Sequence, residues 1–191
     1  MGKIVCQCKK CTLHLSANVI RGRILCACND CKKVLDWSTL KKGTTHSGLA
    51  KPIFVDSDII ELEGRSHIGA FKVSKESDTK RLYCKECYSI LGTSHPSHNN
   101  NTFHFFEGQC ETDLNIEQTP CVAIFLSDWE DSENISLPKN IPTFETLSSE
   151  KDIERFFSIE KIQEIWMKEQ SPKGKTFNAV FAEFEDCLFL N

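Results

Sequence analysis

Over the first two thirds of the chain, apolar residues alternate with polar ones or gather in short runs, the period-two signature of strands. Cys11-Thr12-Leu13-His14-Leu15-Ser16 alternates and predicts a half-buried strand, with Cys11, Leu13 and Leu15 facing the core and His14 at the surface. Ile53-Phe54-Val55, Ile59-Ile60-Glu61-Leu62-Glu63 and Gly69-Ala70-Phe71-Lys72-Val73 read as short strands separated by turns. Thr102-Phe103-His104-Phe105-Phe106 is an alternating strand, and Val122-Ala123-Ile124-Phe125-Leu126 an apolar one. Residues 41–50, with two glycines and three hydroxyls, form a loop able to line a site. The polar stretch from Ser94 to Asn101 reads as a solvated loop tip, which places His95 and His98 in water rather than in a site. The pattern is all-β in character through about residue 127.

The period changes at Ser149, which can cap a helix carrying Ile153, Phe156, Phe157, Ile162, Ile165 and Trp166, with a break at Ser158. Phe177, Val180, Phe181, Phe184 and Leu188 fit a second helix, with a strand left open. The expected architecture is a mainly β domain over residues 1–146 and a C-terminal helical extension over 147–191, packed on that domain or on a partner.

With 191 residues the chain can bury a real core, and no apolar run approaches the length that crosses a bilayer, so no membrane partner is expected. The net charge of −4 makes nucleic acid an unexpected partner and turns Phe103, Phe105 and Phe106 into core residues rather than base-stacking ones. Eleven cysteines, an odd number, follow a start without an apolar leader. The expectation is a reducing, cytoplasmic setting with thiolates on metal. There, the glycosylation acceptors Asn100-Asn101-Thr102 and Asn134-Ile135-Ser136 are chance matches.

Seven cysteines carry the chemistry. Cys26-Ala27-Cys28-Asn29-Asp30-Cys31 sets three thiols within six residues: on an extended backbone Cys26 and Cys28 point the same way, and a turn at Asn29-Asp30 returns Cys31 to them. Cys84 and Cys87 have zinc-knuckle spacing and, with Cys6 and Cys8, complete a tetrahedral set of four thiolates. Two zinc ions are therefore expected, one closed and structural on Cys6, Cys8, Cys84 and Cys87. The other, on Cys26, Cys28 and Cys31, keeps a position for water or a substrate thiol. Lys9, Lys10, Lys32, Lys33, Arg81 and Lys85 flank these ligands and offset their negative charge or form an anion-recognition patch.

In the order and spacing of these seven cysteines, the chain resembles the glutathione-dependent formaldehyde-activating enzyme and centromere protein V (GFA/CENP-V) family. The resemblance spans about residues 2 to 146, including Ile53 to Gly64 and the closing segment Leu137-Pro138-Lys139-Asn140-Ile141-Pro142-Thr143-Phe144-Glu145. It implies an Mss4-like zinc-binding β fold, with Cys6, Cys8, Cys84 and Cys87 on a structural zinc and Cys26, Cys28 and Cys31 on a catalytic one. It also implies carbon-sulfur lyase activity interconverting formaldehyde and glutathione with S-hydroxymethylglutathione. The chain departs from the family at Lys9 and Tyr88, where glycine is usual, and at Ala123, where histidine is frequent.

The residues predict a zinc centre open to a small-molecule thiol, and the resemblance implies that it serves a zinc-dependent, lyase-type enzyme acting on a glutathione-like thiol adduct. Lys32, Lys33, Lys41 and Lys42 are candidate partners for the carboxylates of a glutathione-like substrate. The alternative is a non-catalytic zinc module for protein binding or thiol carriage. That reading applies if Cys11, Cys110 or a histidine closes the second site, with Trp166 and the phenylalanines of the extension as contact surface.

Overall fold

The period-two stretches form strands. The computed structural model describes residues 1–129 and 137–190, and the Asn134-Ile135-Ser136 acceptor lies outside them. In chain order the elements begin with β1 (Gly2–Cys6), β2 (Thr12–Leu15), β3 (Gly22–Arg23), β4 (Leu25–Cys26), α1 (Asn29–Leu40), β5 (Pro52–Asp56) and β6 (Ile59–Glu63). Next come β7 (Ile68–Lys72), β8 (Lys80–Cys84), β9 (Ile90–Ser94), β10 (Thr102–Phe106), β11 (Cys110–Thr112), β12 (Ala123–Ile124) and β13 (Thr143–Phe144). The chain closes with α2 (Glu150–Phe157), α3 (Glu160–Trp166), α4 (Phe177–Phe181) and β14 (Cys187–Phe189).

Among the described residues, the strands make a four-stranded sheet β11-β1-β2-β6, a seven-stranded sheet β14-β7-β8-β9-β10-β5-β3 and a small parallel sheet β13-β12-β4. The protein is mainly β, as the pattern predicts. Cys11, Leu13 and Leu15 face the core, and His14 meets Glu63 at the surface. The stretch 102–106 does not alternate in burial: all five residues are buried, because both faces of the large sheet are covered. Phe103 and Phe105 belong to one core with Phe177, while Phe106 joins the other with Phe54 and Trp166.

The first correction is α1, set in a region whose pattern reads as all-β. Cys28 takes the N-cap position, its sulfur accepting the Cys31 N–H at 3.4 Å. Val34 and Leu35 are buried on one side, while Lys32, Lys33 and Asp36 stay at or near the surface. Trp37 packs this helix on the large sheet, its ring 5.0 Å from Phe71 and 5.1 Å from Tyr83.

The segment after residue 147 is built into the cores. Ser149 caps α2 and Ser158 ends it, matching the predicted cap and break. Arg21, itself buried, donates to the Ile165 and Lys168 carbonyls at the C-terminal end of α3, where a cation is favoured, and pairs with Asp56 at 2.5 Å. On the opposite face, Phe177 stacks on Phe103 at 4.8 Å, and its N–H donates to the Ser57 hydroxyl at 2.7 Å. The helical reading of Phe177 to Leu188 holds for α4 only, because Leu188 lies in β14, which adds a parallel edge strand beside β7.

Phe177 is fully buried between α4 and the large sheet. Phe177→Ala is expected to lower stability by about 3–5 kcal/mol, measured by urea denaturation. A loss below about 1 kcal/mol would mean that α4 contributes little to this core.

Candidate metal centres and the adjoining cavity

The sulfurs of Cys6, Cys8, Cys84 and Cys87 lie within 4.8 Å of one another. Cys6 ends β1 and Cys84 ends β8, and the two tight turns that follow carry Cys8 and Cys87. The Cys6–Cys8 and Cys8–Cys84 sulfur separations are 3.5 and 3.6 Å. Tetrahedral zinc with bonds near 2.3 Å needs sulfurs roughly 3.8 Å apart, so the set fits such an ion. Cys6 sulfur also accepts the Cys11 N–H at 3.2 Å. Burial opposes ionisation of Cys87, but hydrogen bonds from Ser89 and from backbone N–H groups bring it down to about 7. Burial pushes Cys11 up to about 12, which leaves it a core thiol beside the cluster.

Lys9 and Tyr88, each one residue beyond the second cysteine of its turn, take left-handed backbone at φ +63° and +54°. Their N–H groups close the turns, Lys9 onto the Cys6 carbonyl at 2.9 Å and Tyr88 onto the Cys84 carbonyl at 2.8 Å. A side chain costs about 1–2 kcal/mol in that conformation. Tyr88 has a compensating contact in its ring 5.5 Å from Trp37. The exposed Lys9 has only a 3.7 Å surface ion pair with Glu111.

The sulfurs of Cys26, Cys28 and Cys31 also lie within 4.8 Å of one another. The helix start performs the predicted return of Cys31: Cys26 ends β4, Cys28 caps α1 and Cys31 sits in its first turn. Hydrogen bonds from the Cys26 and Cys31 thiols, together with backbone N–H groups, hold Cys28 down to about 3, a thiolate ready for a cation. Among the described residues no histidine or carboxylate joins this set, and Cys11 and Cys110 belong to the core beside the other cluster. Three soft donors one short of a tetrahedron fit a zinc that keeps an open position.

The two centres differ in what faces them. Cys26, Cys28 and Cys31 stand at the wall of a cavity of about 570 Å³, which none of the four-thiol cluster lines. Ile24, Phe54, Ile124 and Phe125 line it from the β structure, and Leu147, Ile153, Phe156, Phe157 and Trp166 from the segment after 146. Its polar lining includes Arg81, Thr93, His95, His98 and His104.

Several expectations are corrected here. The 94–101 stretch is a solvated tip only in part: His95, Pro96, Ser97 and Asn99 are exposed, but His98 is 3% exposed, stacked edge-on to Phe54 and Trp166, and burial holds it near pKa 3. None of Lys32, Lys33, Lys41 and Lys42 lines the cavity, nor does any residue of 41–50. Lys32 pairs with Asp36 at 2.7 Å, and Lys41 and Lys42 follow the far end of α1. The cation that does reach the cavity is Arg81, 2% exposed. Its one signal in sequence is a charge within the strand run before Cys84.

No protein-family model matches this chain, and a search of curated proteins finds no similar sequence.

Two zinc ions per chain are expected by elemental analysis, and a value near one or below would reject the two-centre assignment. Cys84→Ser should unfold or aggregate, because a structural zinc contributes on the order of 10–16 kcal/mol. Cys31→Ser should fold with one zinc, since its claw ties down only six residues of chain. Lys9→Gly, relieving the left-handed strain without touching a ligand, should raise stability by about 1 kcal/mol with zinc content unchanged, as read by thermal denaturation.

Proposed function

We propose that the protein is a zinc-dependent, carbon-sulfur lyase-type enzyme with an Mss4-like fold akin to the GFA/CENP-V family, working in a reducing compartment on a thiol–aldehyde adduct. The observation that carries this reading is the three-thiol centre, one ligand short, at the wall of a mostly apolar cavity. Lys9 and Tyr88 add to it: left-handed backbone occurs at the two turn positions where that family usually has glycine.

Cys26, Cys28 and Cys31 would hold a zinc ion, which when bound would supply the Lewis acidity to keep an added thiol ionised near neutral pH. The chain's own part is to hold sulfur and carbonyl together. In the addition, a sulfur lone pair forms the carbon–sulfur bond, the carbonyl π bond opens, and the proton lost by the thiol ends on the new hydroxyl oxygen. Nothing is oxidised or reduced. His95 is suited to meet the oxygen as it gains charge. Its Nδ1 accepts the Ser97 N–H at 3.1 Å, so the neutral ring carries its proton on Nε2 as a donor. Burial, its largest influence, lowers its pKa and favours that neutral form.

The alternative of a non-catalytic zinc module for protein binding or thiol carriage is compatible with the same cysteine clusters, but the contact surface expected for it is largely taken up. Phe156, Ile162, Ile165, Trp166 and Phe177 are buried in the protein's own cores rather than offered to a partner.

Cobalt-substituted protein titrated with glutathione is expected to change its absorption spectrum. Exchange between glutathione, formaldehyde and their adduct, followed by NMR, should run faster than without protein. Cys31→Ser should abolish both effects while remaining folded. Two bound metals with no spectral response to any small thiol would mean a sealed second centre and would sink the lyase reading.

A further inference from the structure

A row of polar side chains crosses the sheet face under the cavity. Arg81 on β8 is the register partner of Thr93 on β9, and Thr93 is the register partner of His104 on β10. Such partners lie side by side on one face of a sheet, about 5 Å apart. Phenylalanines close the row at each end, Phe71 beside Arg81 and Phe54 beside His104. Arg81, Thr93 and His104 all line the cavity that holds Cys26, Cys28 and Cys31, and are 2%, 2% and 7% exposed.

The row's hydrogen-bonding capacity is largely unused. Nε of Arg81, Oγ1 of Thr93 and both ring nitrogens of His104 are buried without a protein partner. Each such group costs free energy unless something pairs with it, and here four fall on three adjacent residues. Arg81 otherwise has the Thr79 carbonyl at 3.5 Å and Asp30 at 3.9 Å, neither of them on Nε. Balancing the charge of the three thiolates accounts for a guanidinium at this place. It does not account for an unpaired hydroxyl and imidazole in line with it. Burial keeps His104 neutral, so its ring offers one donor and one acceptor.

We propose that Arg81, Thr93 and His104 form the carboxylate subsite of the substrate, and that the substrate is an apolar thiol acid whose sulfur reaches Cys26, Cys28 and Cys31. The proposal rests on the open three-thiol centre described above and names what it receives. The carboxylate takes the Arg81 Nε–H, the Thr93 hydroxyl and the His104 N–H, while the apolar body lies against Phe54, Phe156 and Trp166. Among the described residues, Arg81 is the only Lys or Arg side chain lining the cavity, so one carboxylate is matched and the second carboxylate of glutathione is not. A volume of about 570 Å³ suits a molecule of this size.

The test is calorimetry on the zinc-loaded full chain with 2-mercapto-3-phenylpropionate, its primary amide, 3-phenylpropionate and glutathione. The acid should bind about tenfold or more tightly than its amide, as a charge-assisted contact requires, and more tightly than glutathione. Arg81→Met should erase the acid-over-amide preference. Should that variant fail to fold, Thr93→Val, which keeps the shape and removes the hydroxyl, should reduce it. Equal affinity of wild type for acid and amide overturns the subsite, leaving the row to ordered water. The cobalt spectrum separates this result from failure of the lyase reading. A thiol-induced change without acid preference keeps the open centre and rejects the subsite. Acid preference shown equally by 3-phenylpropionate, with a spectrum silent to thiols, keeps the subsite and rejects the open centre.

Discussion

The meeting of four sulfurs from two hairpins sets the position of much else in this molecule. Cys8 and Cys84 are 76 residues apart in sequence and 3.6 Å apart in space, which ties the four-stranded sheet to the seven-stranded one. Ionised thiols at that distance would repel, and a divalent cation held by them would turn the repulsion into a cross-link that closes a long loop. The local cost falls on Lys9 and Tyr88, held in left-handed backbone so that the turns can close. Tyr88 then passes the constraint on: its carbonyl accepts the Ser38 hydroxyl of α1 at 2.9 Å, and the first turn of α1 carries Cys31. The second thiol centre is thus braced through the first.

That second centre acquires an environment only from the end of the chain. Without α2 and α3, the three thiols would face the bare side of a sheet. With them, Phe156 and Trp166 add apolar walls to the cavity, and Arg21 fixes α3 by binding its terminal carbonyls. Low polarity there strengthens each remaining electrostatic contact and makes each unpaired polar group costly. Burial holds His98 and His104 neutral and opposes the charge on Arg81, which Cys31 and Asp30 favour. A cavity lined by a soft donor set, a guanidinium and aromatic walls is selective by the chemistry of its lining.

The cysteine spacings by themselves determined the local groups Cys6 with Cys8, Cys84 with Cys87, and Cys26 with Cys28 and Cys31, because two-residue and three-residue separations constrain sulfurs locally, while the meeting of the first two pairs across 76 residues was decided by the tertiary structure. Period-two alternation likewise gave the strands, and Ser149 and Ser158 gave the ends of α2, since caps and pleats are short-range properties. The α1 helix escaped because a cysteine, not a serine or aspartate, takes its N-cap, and the sulfur that marks a ligand hides the helix start. His98 was misplaced for a related reason: a polar loop composition describes the local backbone, and burial is decided by whatever packs over it. Only the tertiary structure brought Trp166 over His98 and set Arg81, Thr93 and His104 in one row, because cross-strand register and the docking of a distant helix depend on contacts between residues far apart in the chain.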